Sequence, residues 1–252
     1  GNIVEDADVC TQTITIERTP LTFPTDQTYD CAAYDVEDLT PDLTGEPTPA
    51  AAAACMYHAV YSDQVLPLCG GLSKIIRTWT VMDWCTGEVI LTDGNGTSHV
   101  QVIKLMDGDG PSIDATDIVV GTDSDACGFT GFIPAPSITD NCTGVALVQM
   151  FIPGLPELEY VYDSNGDLQG GFIPAPGIPL GSHELLVTAI DGCGNASDAT
   201  YTITVVDEQA PTPVCHEILQ VSLTSDGTIP VYAISFDDGS HDNCCISELQ
   251  VR

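Results

Sequence analysis

The sequence predicts an all-β protein of tandem Ig-like antiparallel β-sandwich modules, disulfide-containing, and three observations carry that prediction. Apolar and polar residues alternate at period two in segment after segment; Gly, Pro, Asn and Asp clusters separate those segments; and a strand–Asp–Pro pattern recurs about one sandwich domain apart. Alternation marks a strand with one buried face, because successive side chains point to opposite sides of the pleat. Nothing sustains a helical period, apart from a short turn expected in the Ala-rich stretch from Pro49.

Taken in order, the alternating segments are TQTITIE (11–17), HVQVIKL (99–105), HELLVTAI (183–190), TYTITVV (200–206) and LQVSLTS (219–225), all rich in the β-branched and apolar residues that suit strands. VIKLMDGDGPSID (102–114) and ITVVDEQAPTPVC (203–215) share a terminal strand, an Asp and a Pro that opens the next unit. Downstream of each Pro comes Asp-Asn-Cys, at Asp140–Cys142 and again at Asp242–Cys244. The expected division is a lone strand at 1–19, a first Ig-like module at 20–107, a second at 108–208 and an incomplete third at 209–252. The lone strand is either the tail of a preceding module or a donor strand. An echo, GFIPAP, occurs at Gly131 and at Gly171; two Pro in six residues suit an edge or a loop, because Pro donates nothing to a ladder.

Five Lys and Arg stand against 37 Asp and Glu, a formal net charge of −32. Such a surface repels phosphate backbones and anionic lipid, so nucleic-acid binding is excluded as a function. No apolar run approaches the ~20 residues of a membrane helix, so no membrane insertion is expected. Residues 1–20 have neither a basic start nor an apolar segment, which reads as a removed signal or a piece of a longer precursor. Eleven Cys without a CxxC pair, and five scattered His, favour disulfides in an oxidising compartment over zinc.

Four stretches in particular, RTPLTFPTDQTYDC, CGGLSKIIRTWTVMDWCTG running into HVQVIKLMDGDGP, AIDGCGN running into ITVVDEQAP, and FDDGSHDNC, resemble the HYR-like, Ig-like repeats of giant secreted surface proteins of Bacteroidota. The likeness is to gliding-motility adhesins exported by the type IX system, and it covers most of residues 20–252. It implies β-sandwiches that build stalks, adhesins or extracellular filaments on the cell surface, without catalysis.

Within the first module Cys31 is expected to pair with Cys55, and Cys69 with Cys85. In the second, Cys142 takes either Cys127 or Cys193, and the sequence does not choose. Cys10, Cys215, Cys244 and Cys245 lie towards the two ends and are candidates for links between subunits. Acid-rich turns offer hard oxygens to Ca²⁺, the one cofactor expected: Asp107 and Asp109 in MDGDGP, and Asp237, Asp238 and Asp242 in DDGSHDN. DSNGD at Asp163 has EF-hand-like 1, 3, 5 spacing but lacks the following Gly and closing Glu, so a hairpin turn is favoured. Trp79 and Trp84 are an odd number apart and face opposite sides of one strand, which puts one in the core and leaves the other for glycan stacking. No nucleophile elbow or His-containing metal motif supports an enzyme.

The expected function is therefore a structural subunit or repeat unit of an extracellular bacterial filament or adhesin stalk. Its partners are copies of itself in a homopolymer, or further repeats of a longer chain. In the sharper form, residues 9–17 donate a strand to the open third module of a neighbour, with Ile14 and Ile16 entering the acceptor core and ISELQV (246–251) paired in the assembly. The alternative is an adhesin module whose loops bind a surface glycan or a protein.

Overall fold

The alternating segments become long strands where one face finds a core. The computed structural model describes residues 12–15, 21–49 and 56–251. The chain divides into two compact units, Gly1–Gly108 with Asn141–Thr143, and Asp109–Asp140 with Gly144–Arg252.

The first unit contains β1 (Leu21–Thr22), β2 (Gln27–Asp30), β3 (Thr48–Pro49), β4 (Tyr57–Pro67), β5 (Ser73–Asp83), β6 (Val89–Ile90) and β7 (Val100–Met106). Its main sheet runs β2-β7-β5-β4, with β6 added against β5, while β1 and β3 pair separately. Strand β5 shows why the chain folds this way: Ile75, Arg77, Trp79, Val81 and Asp83 are all buried, and the residues between them face outward. Leu21, Phe23 and Ile90 complete the core around Trp79 and Val81. A one-turn helix, α1 (Pro41–Thr44), begins with Pro at its first position, where no N–H is needed.

The second unit contains β8 (Ser112–Asp114), β9 (Ile118–Gly121), β10 (Gly128–Phe129), β11 (Phe132–Pro134), β12 (Ser137–Thr139), β13 (Val145–Phe151), β14 (Glu159–Tyr162), β15 (Leu168–Phe172), β16 (Ile178–Pro179), β17 (Gly181–Asp191) and β18 (Ala196–Val206). One sheet runs β13-β17-β18-β9; the other strands form the sheet β11-β15-β14 and the pairs β12-β8 and β10-β16. Leu185, Val187, Tyr201, Ile203 and Val205 of the first sheet pack with Ile133, Ile173 and Ile178 in one core.

The internal repeat reaches the level of topology. Along the four-strand path of each main sheet, β6 left aside, the order is first, fourth, third and second strand of that path, and its first strand runs parallel to its last: β2 to β7, and β9 to β18. The two GFIPAP copies pair with each other, Phe132 opposite Phe172 and Pro134 opposite Gly170, with the Pro on edge strand β11. Gly170, at φ +147°, lets the carbonyl of Ile133 approach to where a Cβ would sit 2.1 Å away. The Ala175–Pro176 bond of the second copy is cis.

Several expectations fail. Residues 219–225 and 246–251 form no strand, and residues 209–252 group with the second unit rather than standing as a third. The described part of the first alternating segment, residues 12–15, is not in a strand either; residues 11, 16 and 17, and so Ile16, lie outside the described residues. Strands need ladder partners, and no described residue offers one to these segments.

Candidate functional site

Residues 209–252 carry the features most relevant to function, because they are anchored without being covered. The Cys127–Cys244 disulfide ties the segment to the loop that follows β9. Beside it the Asn243 side-chain amide donates to Thr122 Oγ1 and to the Asp123 carbonyl, both at 2.8 Å. Asp242 Oδ1 accepts from the N–H groups of Cys244 and Cys245 at 2.9 and 3.1 Å, shaping this turn. Single bridges join Thr212 to His241 and Cys215 to Asp237, and Ser240 Oγ bonds the Val214 N–H at 2.9 Å. Yet Val221 is 47% and Leu223 64% exposed, and Ile218, Ile229, Val231, Tyr232 and Ile234 are exposed with them. Val221 and Leu223 thus stand two residues apart with no core beneath them.

The cysteines pair differently from the expectation. Cys31 bonds Cys142, not Cys55, and Cys127 bonds Cys244, so Cys142 takes neither Cys127 nor Cys193. Residues 141–143 belong to the first compact unit, which brings Cys142 to Cys31 across a separation of 111 residues. Proximity in sequence was the wrong guide, because the fold carries the Asp-Asn-Cys turn away from its neighbours in the chain. Cys69, Cys85 and Cys193 are also disulfide-bonded. Cys244 is consumed within its own chain and cannot link subunits; Cys215 and Cys245 are free and exposed. Cys10 and Cys55 lie outside the described residues.

Among the acid-rich turns, DSNGD is the β14–β15 hairpin. Asp163 Oδ1 accepts from the N–H groups of Asn165 and Asp167, at 2.8 and 2.9 Å, and Gly166 takes φ +91°. These backbone bonds, that from Asp167 foremost, hold the Asp163 carboxyl below its usual range. Asp107 is buried and accepts from Thr143 Oγ1 at 2.9 Å, whereas Asp109 is exposed. Asp237 accepts from the Ser240 N–H, Asp238 lies 3.4 Å from His216 Nδ1, and these two with Asp242 do not converge as a metal-ligand group. Sequence reading missed a tighter pair within the second unit: carboxylate oxygens of Asp140 and Asp191 lie within 4.8 Å of one another. Asp191 is buried, which by itself raises its pKa. The side chain and N–H of Asn195 and the N–H groups of Cys193 and Gly194 outweigh that and leave it lowered. Asp30, Cys31 and Cys142 also cluster, but the disulfide removes both thiolates as ligands.

Arg77 sits in the buried row of β5 and is paired by its surroundings. Its guanidinium makes two 2.8 Å bonds to the Asp63 carboxylate, donates to Thr44 Oγ1 at 2.6 Å and to the Leu39 carbonyl at 2.8 Å, and lies 4.7 Å from the centre of the Tyr61 ring. Trp79 is 3% exposed within β5, and Trp84, in the turn just past the end of that strand, is 64% exposed.

No family model and no curated protein matches the chain. Among solved structures it is similar to protocadherin gamma C5 EC1-3 at 16% identity and TM-score 0.34, over 59% of this chain and 45% of that one. Human CDH23 EC21-23 is similar at 15% identity and TM-score 0.31, over 65% and 66%. Human mucin-like protocadherin EC1-2 is similar at 11% identity and TM-score 0.30, over 75% and 99%. The chain spans less than half the length of the first of these. These are distant likenesses between β-rich chains and carry no functional weight.

Proposed function

We propose that this chain is a structural module of an extracellular bacterial assembly, a filament or adhesin stalk, joined end to end by β-strand pairing. The observation that carries the proposal is the anchored but uncovered segment 209–252, whose Val221 and Leu223 alternate like a strand and stand in solvent. Disulfides at Cys31–Cys142 and Cys127–Cys244 suit an oxidising exterior. Among the described residues no helix is long and apolar enough to cross a membrane. The reading assigns no catalytic residue.

Calcium belongs to this proposal. Asp140 and Asp191 are hard oxygen donors close enough to share one cation, which would relieve their mutual repulsion. Their role would be to fix Asp140 against the end of β17. Chelation with EDTA should then lower the melting temperature, and calorimetry should register Ca²⁺ uptake; an unchanged melt with no uptake removes calcium.

Electron microscopy of purified chain tests the assembly, with ordered polymers expected and monodisperse monomers counting against it. A second reading, an adhesin module for a surface glycan or protein, is favoured by exposed Trp84, a side chain suited to stacking on a sugar ring. A glycan array without signal would remove its glycan form.

A further inference from the structure

The core of the second unit is sealed at one end of β13 and open at the other. Met150 is 1% exposed, whereas Val148, on the same face, is half-buried and Ala146, at a bulge in the β13–β17 register, is exposed. Beside them lies a cleft of about 380 Å³, walled by Ile138, Val148 and Leu168, with the exposed Tyr162 and Asp167 at its mouth. β13 is also an edge strand, paired only with β17. At Met150 one hydroxyl caps that edge: Tyr160 Oη accepts from the Met150 N–H at 3.2 Å and donates to the Met150 carbonyl at 2.9 Å. Those peptide groups therefore face away from β17, and by the two-residue period so do the N–H and carbonyl of Val148, beside the cleft. Among the described residues nothing caps Val148 as Tyr160 caps Met150. The surroundings are acidic: no Lys or Arg occurs between Lys104 and Arg252, and the hairpin at the mouth carries Asp163 and Asp167.

We propose that this cleft is a docking site for an extended basic peptide of a partner protein, which adds to β13 as a further strand. Its main chain bonds the Val148 N–H and carbonyl, its alternate apolar side chains sink against Ile138, Val148 and Leu168, and a Lys or Arg meets Asp167. Charge selects that occupant. A second copy would bring 37 acids against five bases to an already acidic mouth, whereas a basic segment neutralises it. A strand also satisfies the open edge, which an apolar small molecule would leave bare. The cleft uses no residue of 209–252, so peptide binding here and end-to-end assembly are separate readouts.

The test titrates the full chain into a fluorescein-labelled peptide, Lys-Val-Thr-Val-Thr-Val-Lys, whose Lys at both ends serves either strand direction. Saturable anisotropy is expected below about 1 mM. The same peptide with Glu at both ends should bind roughly tenfold or more weakly, and Asp167→Lys should reverse that order. N-methylation should act through one alternate set: methylating the Val or the Thr residues, according to which face β13, abolishes binding, and methylating the other set leaves it. Val148→Pro should abolish binding and keep the fold, because β17 does not use this N–H and edge strands admit Pro. Gln149→Ala, on the outer face of the same strand, should change nothing. Circular dichroism and the melting temperature show that each variant is folded; should Val148→Pro unfold, Asp167→Lys and the methylated peptides decide. No saturation, equal binding of the Glu-ended peptide, or indifference to both methylated sets overturns the proposal. Self-association that Val148→Pro removes, with no peptide bound, gives the cleft to a second copy and overturns it as well.

Discussion

Arg77 and Asp63 lie directly opposite each other on β5 and β4 and are joined by two 2.8 Å hydrogen bonds beneath the sheet of the first unit. The guanidinium is 2% exposed and the carboxylate 25%, so water reaches the acid but not the base. A lysine ammonium cannot serve Asp63, Thr44 and Leu39 together, because it lacks the planar fork. Arg77→Lys should destabilise the first unit by about 3 kcal/mol, the scale of breaking a buried pair, as read from urea unfolding.

Tyr201 should set an alkaline limit on the second unit. Its hydroxyl is buried without a hydrogen-bond partner, and burial pushes its pKa up to about 12 from an ordinary 10.0. The folded chain holds this proton more tightly than the unfolded chain. The associated stability is complete below pH 10.0 and is lost as pH rises through about 12. Tyr201→Phe should remove that alkaline leg. It should also raise stability at neutral pH by up to about 1 kcal/mol, since an unpartnered polar atom leaves the core. Urea melts of both forms across the alkaline range provide the check.

Gly170 should not tolerate a side chain. Its φ of +147° and the Ile133 carbonyl at 2.1 Å from a built Cβ leave no room on either count. Gly170→Ala should cost about 2 kcal/mol or more, and increased proteolysis near β11 and β15 would show it. An unchanged melting temperature would mean that the two GFIPAP strands do not approach this closely.

Thiol chemistry should separate the cysteines sharply. Alkylation of the native, unreduced chain followed by peptide mass spectrometry should label Cys215 and Cys245, and leave Cys31, Cys127, Cys142 and Cys244 unlabelled. Label on Cys244 would contradict the anchor of the terminal segment.

Period-two patterning read β7, β17 and β18 well, because each has one face on a core and the other in water. It misplaced LQVSLTS for the complementary reason: alternation reports that a segment suits a strand, not that a partner edge is present. Disulfide connectivity was illegible, since Cys31 and Cys142 meet only through the fold and no local spacing encodes a separation of 111 residues. The Asp140–Asp191 pair was hidden likewise, each Asp looking in sequence like one more turn residue. By contrast the DSNGD hairpin depends on neighbours within a few positions, and local reasoning reached it; for Trp79 and Trp84 that reasoning reached only that one of the two is buried, without choosing which.

The two disulfides have a consequence for load. Tension drawn along the chain leaves β2 at Cys31 and crosses by a covalent bond to Cys142; further on it leaves β9 for Cys127 and crosses to Cys244. β7 and β18 lie inside the loops those bonds close, so the parallel ladders β2–β7 and β9–β18, four residue pairs each, are spared the pull. Reduction would put both ladders in line with the force, where their hydrogen bonds resist together in shear.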